Sequence, residues 1–410
     1  MKCRAFFSVM HLLLPIITRS TTLQQPLTRQ SSRKQFTGQS MNILCLEQFS
    51  NMGGGQRSLL DLLPAFAARG WQALVIAPEE GPFTEAARQL GNRTECLRCC
   101  PYASIRKPAR ELRQYACELP RLARGIRHLV QANGIDLLYV NGPRWLPPAA
   151  WISRQRSIPL VFHCHNRLLQ PSAIFLAGKA LQLAAGRVIA CCRYAAEPLR
   201  RYVRHDQFSI LYNGVRALNG FVSRSPAPLR RLGVLGRIEI EKGQIEFVGA
   251  ARIVAERFPD CRFFVIGAPL FSNSDYYNRV VAASRGLPIE FLGWQDNISR
   301  VLADLDLLVV PSTPLEATTR VIPEAYHAGV PVVAFPSGGI PEILEDGETG
   351  FLASGVTPWT LAERITSVLH MRSSDIAAVV ARAYKKWHSH YRLEIYQEQV
   401  CEVLARAAAS

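Results

Sequence analysis

From Met41 onward, short apolar runs alternate with longer stretches in which apolar positions recur every three or four residues. NILCLEQF is typical of a buried strand, and in GGGQRSLLDLLPAFAARG the residues Leu59, Leu63 and Phe66 fall near one helical face. Strand-like runs then recur along the chain: QALVIAP, IDLLYVNG, IPLVFHCHN, GRVIACC and FSILYNGV. Strands alternating with amphipathic helices predict a parallel sheet with helices on both faces.

The alternation is interrupted once and then resumes. Residues 217–230, ALNGFVSRSPAPLR, have the Pro, Ser and Gly content of an interdomain linker. A second series follows: LGVLGRI, CRFFVIGAP, PIEFLGW, DLLVVPS and PVVAFPS. We therefore expect an α/β protein with two doubly wound Rossmann-like domains, over residues 41–216 and 231–384, and a final helix over residues 385–410.

The length of 410 residues agrees with two domains, because single cores seldom grow beyond about 250–300 residues. No apolar run reaches the ~20 residues that span a bilayer. Residues 1–40 carry six Lys or Arg and no Asp or Glu, and we place them outside the fold. We interpret them as a disordered or upstream extension with Met41 as the true start; a cleaved targeting segment is the alternative.

The net charge of +16 favours anionic partners, and since no nucleic-acid-binding motif is present, nucleotide phosphates and anionic lipid rank first. Eleven cysteines at irregular spacing are typical of reduced thiols in the cytoplasm. The C-x2-C-C cluster at Cys96, Cys99 and Cys100 lacks the second pair of ligands that a zinc site needs.

Residues 93–127 carry nine Lys or Arg against three Glu, and residues 109–131 read as a basic amphipathic helix. Such a helix is either a solvated face or a contact with an anionic membrane surface. Peripheral membrane contact is therefore a hypothesis for this segment.

The most informative run extends from Asp306 to Phe351 and contains two glutamates eight positions apart. Glu316 follows a buried-type strand in a loop, and Glu324 opens a helix behind Pro323. Open α/β sheets bind ligands at the carboxyl ends of their strands, and a helix N-terminus beside glycines binds anions. Carboxylates suit hydroxyl groups and backbone amides suit phosphates, so the run predicts a nucleotide-sugar site.

Two cations in GRIEIEKGQ strengthen this prediction. Arg237 and Lys242 flank a helix N-terminus, where positive charges are unfavourable unless an anion lies between them. Arginine binds phosphate in a bidentate manner and lysine adds a point charge, so we expect both to bind a diphosphate. Glu239 and Glu241 are expected to point elsewhere.

The first half of the chain offers a glycine loop and a histidine. Gly53, Gly54 and Gly55 lie between the first strand and first helix, where glycine lets backbone N–H groups approach a diphosphate. The spacing is not G-x-G-x-x-G, so no dinucleotide cofactor is indicated. His165 ends the strand LVFHCH at the same sheet edge. His163 and His165 could share a metal ion, but no third ligand has suitable spacing, and we predict no metal.

The order of these motifs from Met41 to about Phe351 resembles the retaining glycosyltransferases of the GT-B fold, family four ("glycosyl transferases group 1"). The E-x7-E run and the G-R-x4-K-G spacing of Arg237 and Lys242 carry the resemblance. Three places depart from the family pattern: Gln56 replaces the glutamate of G-G-x-E, Cys192 stands where serine is common, and Ala317-Thr318 stand in the place of Phe-Gly.

The resemblance implies two domains facing a cleft, the first binding the acceptor, the second the donor, with the C-terminal helix crossing back to the first. Four residues are implied to be catalytic: His165, Arg237, Lys242 and Glu316. Others are implied to bind the donor: Gly53, Gly54, Gly55, Gly267, Trp294, Thr318, Thr319, Arg320 and Glu324. Arg237 and Lys242 would stabilise the leaving diphosphate, Glu316 would hold sugar hydroxyls and Glu324 ribose hydroxyls, and His165 would lie near the reacting carbon.

The implied activity is transfer of a sugar from a nucleotide-diphosphate sugar to a lipid-linked, polysaccharide or other hydroxyl acceptor, with retention of anomeric configuration. No metal or cofactor beyond the co-substrate is implied. The expected location is cytoplasmic, and peripheral contact with the inner face of the membrane is a hypothesis. Two alternatives stay open: a sugar-nucleotide epimerase or hydrolase of the same fold, and a non-catalytic sugar-nucleotide-binding protein.

Overall fold

The computed structural model describes residues 40–99, 109–218, 228–269 and 274–409. The described residues form two separate parallel sheets with alternating helices, so the chain has the two-domain α/β Rossmann-like fold that the alternation predicts. Residues 1–39 of the predicted extension and residues 219–227 of the predicted linker lie outside the described part.

The first domain is built on a seven-stranded sheet in the order β3-β2-β1-β4-β5-β6-β7. Its strands are β1 Asn42–Glu47, β2 Gln72–Ala77, β3 Arg93–Cys96, β4 Leu137–Asn141, β5 Leu160–Cys164, β6 Arg187–Ala190 and β7 Phe208–Ile210. Its helices are α1 Gly54–Ala68, α2 Pro82–Gln89, α3 Ala109–Asn133, α4 Leu146–Arg156, α5 Pro171–Ala184 and α6 Arg193–Ala196. β1 and β4 run parallel, and in their register Glu47 is opposite Asn141.

Alternate residues of the central strands enter two buried clusters, one on each face of the sheet. Leu44 and Leu46 pack with Ile126 of α3, and Ile43 and Cys45 pack on the other face. This burial on both faces explains why β1 reads as a continuous apolar run. Residues 109–131, the predicted basic amphipathic helix, lie within α3, whereas Arg93–Cys96 at the start of the basic segment form β3.

The second domain has a six-stranded sheet in the order β10-β9-β8-β11-β12-β13. Its strands are β8 Arg231–Leu235, β9 Arg262–Ile266, β10 Ile289–Gly293, β11 Leu307–Val310, β12 Val332–Ala334 and β13 Phe351–Leu352. The helices that follow the interdomain segment are α7 Gln244–Arg257, α8 Ser274–Ala283, α9 Ile298–Ala303, α10 Val321–Ala328, α11 Ile340–Ile343, α12 Pro358–Leu369, α13 Ser373–Lys386 and α14 Leu393–Ala408.

The last helix begins later than residue 385. A short π-helical segment, Trp387–Tyr391, follows α13, and Arg392 is extended (φ −64°, ψ 143°) before α14 begins. Trp387 and Tyr391 are buried in the second domain, which fixes the break between the two helices. Helix α14 then packs in the same buried cluster as β1 and α1 of the first domain. None of the helices in the described residues has the length and apolar character to cross a membrane.

Candidate active site between the two domains

The loop after β11 carries Glu316 and lies beside Lys242. The Lys242 Nζ atom is 2.5 Å from Glu316 Oε2, and both side chains are largely buried. Gly338 packs directly against the backbone of this loop. Its φ is +58°, and a Cβ atom there would lie 2.0 Å from the Glu316 carbonyl oxygen. The Gly339 N–H donates to the Ala317 carbonyl oxygen at 2.6 Å. The two glycines therefore fix the backbone that presents Glu316.

Arg237 is bound by two carboxylates, which corrects the expectation that Glu239 and Glu241 point elsewhere. Arg237 Nη1 and Nη2 lie 3.0 Å from Glu239 Oε1 and Glu241 Oε1, respectively. The tight turn at residues 240–242 after β8 brings both glutamates back toward the guanidinium. Burial raises the pKa of Glu239 to about 7, against the lowering effect of Arg237. Arg237 is thus held in place, but much of its charge is already balanced.

Arg320 connects the second domain to the first. Its Nη2 donates to Asp61 Oδ2 of α1 at 2.7 Å. Its Nε and Nη1 atoms are buried, and no atom of the described residues accepts a hydrogen bond from them. Glu324 lies in the first turn of α10, one turn from Arg320. Burial raises the pKa of Glu324, and the charges of Arg320 and Arg57 oppose this shift.

His165 follows β5 directly and lies at the facing edge of the first domain. Its Nε2 is 2.7 Å from Asn141 Oδ1. A Cβ atom on Gly55 would lie 3.2 Å from His165 Cδ2, so the glycine loop and the histidine are in contact. Burial, aided by the positive charge of Arg320, lowers the pKa of His165 to about 3. The imidazole is therefore neutral at physiological pH.

His163 belongs to the core and does not share a site with His165. Its Nδ1 makes a hydrogen bond with the Tyr139 hydroxyl, and its ring stacks on that of His165 with centroids 4.0 Å apart. Burial lowers the pKa of His163 well below its usual range. Across residues 40–99, 109–218, 228–269 and 274–409, no three His, Cys, Asp or Glu side chains converge as metal ligands would.

Among the remaining predicted donor-binding residues, Trp294 and Gly267 lie at strand ends, whereas the glycine loop forms the start of α1. Trp294 follows β10, is 39% exposed, and has the Arg57 guanidinium 5.6 Å from its ring centroid. Gly267 follows β9 with φ +143°, and a Cβ atom there would lie 1.9 Å from the Gly236 carbonyl oxygen. Gly267 is therefore required by the close approach of two strand ends. A Cβ on Gly54 would meet nothing within 4 Å, so this part of the glycine loop is open.

Thr318 and Thr319 lie in the loop between Glu316 and Arg320, next to the first domain. The Sγ atom of Cys192, at the N-terminus of α6, lies 3.4 Å from the Ala317 carbonyl oxygen. The contact shows that the loop carrying Glu316 touches the edge of the first sheet.

Sequence reasoning missed two polar contacts of the site: one that joins the two domains through Asp61, and one within the first domain behind His165. Asp61 accepts hydrogen bonds from Arg320 and Arg216, and Glu47 binds Asn141, which binds His165. A signal was present for two of them, since Asp61 and Glu47 are acidic residues at buried positions of an apolar helix face and an apolar strand. Acidic residues are rarely fully buried without a partner.

Two facing Rossmann-like domains with these loops between them define a glycosyltransferase of the GT-B type. The chain belongs to the family-four glycosyltransferases: residues 52–217 match the model described as "Glycosyltransferase Family 4", and residues 230–371 match "Glycosyl transferases group 1". The two matches together span about three quarters of the chain.

Curated relatives agree with this family. The phosphatidyl-myo-inositol mannosyltransferase of Mycobacterium leprae (strain TN) is 25% identical over 386 residues, covering 90% of this chain and 97% of the relative. The sulfoquinovosyl transferase SQD2 of Arabidopsis thaliana is 31% identical, but the match covers 36% of this chain and 28% of SQD2. The amylovoran biosynthesis glycosyltransferase AmsK of Erwinia amylovora is 29% identical over 44% of this chain and 46% of AmsK. The chain thus spans less than half the length of SQD2 and AmsK.

Among solved structures, Anabaena HepE in complex with UDP-glucose superposes with a TM-score of 0.75 and 25% identity, covering 89% of this chain and all of that one. Sucrose-phosphate synthase from Thermosynechococcus elongatus has a TM-score of 0.71 at 19% identity, covering 90% of this chain and all of that one. The second likeness shows the fold alone.

Proposed function

We propose that this protein transfers a hexose from a UDP-sugar to a hydroxyl acceptor, with retention of anomeric configuration and without a metal ion. The observation that carries the proposal is the convergence of Lys242, Glu316 and Arg320 with His165 between the domains. Cations, carboxylates and a neutral imidazole suit a molecule with a diphosphate and sugar hydroxyls. UDP-glucose in HepE supports uridine as the base.

The Lys242–Glu316 ion pair suggests how the donor is received. Lys242 already has an anionic partner at 2.5 Å, and a diphosphate carries more charge than one carboxylate. The diphosphate therefore replaces Glu316 as the partner of Lys242, and Glu316 becomes available to accept hydrogen bonds from sugar hydroxyls. Arg237 contributes less to this attraction, because Glu239 and Glu241 surround it.

Bond cleavage places negative charge on the leaving diphosphate. Lys242, Arg237 and the backbone amides of Thr318, Thr319 and Arg320 stabilise this charge on one side of the sugar. The buried N–H groups of Arg320 that face no acceptor in the described residues are suitable donors for the same purpose. The bond from the sugar to the diphosphate oxygen breaks, and the acceptor hydroxyl forms its bond on the same face, which retains the configuration. The proton of the acceptor hydroxyl passes to the leaving diphosphate oxygen, which lies on that face.

The proposed acceptor is a lipid-linked or polysaccharide hydroxyl that reaches the first domain, with the protein on the inner face of the membrane. The phosphatidyl-myo-inositol mannosyltransferase acts, by its name, on a lipid, and AmsK takes part in amylovoran biosynthesis. Helix α3 supplies a basic surface of exposed arginines for an anionic membrane. These features support cell-envelope polysaccharide or glycolipid synthesis as the context.

A thermal-shift screen of the full chain against UDP-, GDP-, ADP- and dTDP-glucose tests the donor site. A ligand that binds only the folded state raises the melting temperature according to its excess over Kd. We expect the UDP-sugar to stabilise the wild type, and Lys242→Ala and Glu324→Ala to lose the response. Lys179→Ala and Glu348→Ala, which change exposed side chains away from the site, should retain it.

Turnover separates the proposed activity from its alternatives. Transfer to an added glycolipid acceptor with an α-linked product from an α-linked donor supports the proposal, and unchanged activity in EDTA supports metal independence. Donor consumption without an acceptor would favour the epimerase or hydrolase. Donor binding without turnover for any acceptor would favour a binding protein.

A further inference from the structure

A fully buried carboxyl group lies behind His165. Glu47 is the last residue of β1, and its Oε1 accepts hydrogen bonds from the Phe49 N–H at 3.0 Å and from Gln56 Nε2 at 2.6 Å. Its Oε2 accepts a hydrogen bond from Asn141 Nδ2. All three partners donate, which matches the ionised carboxylate that predominates above about pH 7, since that group only accepts.

Asn141 joins Glu47 to His165, because the register of β1 and β4 sets Glu47 opposite Asn141. The Asn141 amide group donates to Glu47 Oε2 and to the Gly55 carbonyl oxygen, the latter at 3.2 Å. With its NH2 group facing two acceptors, its Oδ1 faces His165 Nε2 at 2.7 Å. An acceptor in that position requires the proton of the neutral imidazole on Nε2 and leaves a lone pair on Nδ1.

We propose that Glu47, acting through Asn141, fixes the tautomer and ring orientation of His165 and is thereby a positioning residue for sugar transfer. Its role in transfer rests on the proposed function; its control of the tautomer does not. With Nε2 protonated, His165 offers Nδ1 as a hydrogen-bond acceptor, so its partner is a hydroxyl group of the substrate. Gln56, which replaces the glutamate of the G-G-x-E pattern, donates a hydrogen bond to the Glu47 carboxylate.

The variant Glu47→Gln preserves the shape of the side chain but replaces the acceptor Oε2, which faces Asn141, with an NH2 donor. The amide oxygen takes the position of Oε1, because two N–H donors already converge there. The new NH2 group then faces the NH2 group of Asn141, which must turn its own NH2 toward His165. A donor facing Nε2 moves the imidazole proton to Nδ1.

The test is the two-bond 1H–15N spectrum of the full chain labelled with 15N-histidine, recorded at about pH 8. The His165 signals are identified by their absence from His165→Asn. We expect the Nε2–H pattern in the wild type and the Nδ1–H pattern in Glu47→Gln, with the other histidines unchanged. With UDP-glucose, kcat should fall about 10–100-fold while the donor KM changes little, as for lost orienting partners of catalytic groups.

The double variant Glu47→Gln/Asn141→Asp provides the rescue. The carboxylate at position 141 accepts from the amide at position 47 and from His165 Nε2, so the Nε2–H pattern should return. Glu79→Gln, an exposed glutamate of the same domain, is the control and should leave the spectrum unchanged.

A folded Glu47→Gln protein that keeps the Nε2–H pattern and the wild-type kcat would overturn the proposal. If Glu47→Gln does not fold, the double variant decides: a folded double variant with the Nδ1–H pattern also overturns it. If the tautomer changes as expected but the wild type transfers no sugar, the control of His165 by Glu47 is supported and the proposed function is wrong.

Discussion

The buried carboxyl group of Glu47 is expected to make the stability of the fold depend on pH. Burial raises the pKa of Glu47 to about 7 from an ordinary value of 4.5. Between these values the folded chain holds a proton that the unfolded chain releases, so stability falls as pH rises through about 4.5 to 7. A shift of this size corresponds to roughly 3 kcal/mol.

Glu47→Gln should therefore lose less stability between about pH 5 and pH 8 than the wild type does. The difference in the change of unfolding free energy should be roughly 2–3 kcal/mol. Urea denaturation at the two pH values measures it, with the exposed Glu79→Gln as a control that follows the wild type. An equal change in unfolding free energy between about pH 5 and pH 8 for wild type and Glu47→Gln would show that Glu47 does not have a raised pKa in the folded state.

Motif order assigned Lys242, Glu316 and His165 to one site, but it did not predict the polar contacts behind them. Glu316 and Lys242 form an ion pair and His165 lies near Arg320, although 155 positions separate the latter two in the sequence. The contacts of Arg237 with Glu239 and Glu241 were predicted wrongly, because a local turn and not the strand period sets their direction. The Glu47–Asn141–His165 chain depends on strand register, which no local pattern reveals.

At the scale of elements, the conformation of the loop that carries Glu316 depends on Gly338, which packs against its backbone. Gly338 and Gly347 both have positive φ, and each alanine substitution there costs about 1 kcal/mol in backbone strain. Only Gly338→Ala also places a Cβ 2.0 Å from the Glu316 carbonyl oxygen, whereas nothing lies within 4 Å at Gly347. Gly338→Ala should abolish stabilisation by UDP-glucose in a thermal-shift assay, and Gly347→Ala should keep it. If both variants lose stabilisation by UDP-glucose, or if neither does, a specific role for Gly338 is contradicted.

Helix α3 offers a second prediction at this scale. Arg113 and Arg124 are exposed, and near an anionic surface each is worth about 1 kcal/mol of attraction. Arg113→Glu/Arg124→Glu should reduce binding to phosphatidylglycerol vesicles at low salt by at least about tenfold. Arg257→Glu/Arg285→Glu makes the same change in net charge on the second domain and should bind as the wild type. Co-sedimentation with vesicles measures the binding of the wild type and of both double variants. If the wild type does not sediment with the vesicles, the hypothesis of membrane contact is wrong.

Most element positions follow from the apolar pattern, and the last helix shows where that pattern is insufficient. The sequence predicts one final helix over residues 385–410. The structure breaks it at Arg392, because Trp387 and Tyr391 are buried in the second domain while Tyr396 and Val400 are buried against the first. A helix shared between two cores must bend where its buried face changes partner.

At the scale of the whole molecule, several contacts hold the two domains together around the site. Glu342 of α11 accepts hydrogen bonds from the backbone N–H groups of Arg193 and Tyr194, each at 2.8 Å, and from the Tyr212 hydroxyl at 3.0 Å. The Tyr194 hydroxyl donates to the Pro314 carbonyl oxygen at 2.7 Å. These hydrogen bonds could not be predicted from the sequence. Each joins a residue of one domain to a residue of the other, so it depends on how the two domains are placed relative to each other.

Glu342→Ala removes the acceptor for three donors of the first domain and should favour a more open arrangement. Each lost charge-assisted hydrogen bond weakens closure by about 1.5–3 kcal/mol, so the donor KM should rise about tenfold or more. The radius of gyration from small-angle X-ray scattering should increase, and saturating UDP-glucose should reverse the increase. Glu345→Ala is the matched control, because Glu345 pairs with Lys386 inside the second domain. If both variants have the same radius and KM, Glu342 does not hold the domains closed; if only Glu342→Ala opens, closure and donor binding are coupled through this residue.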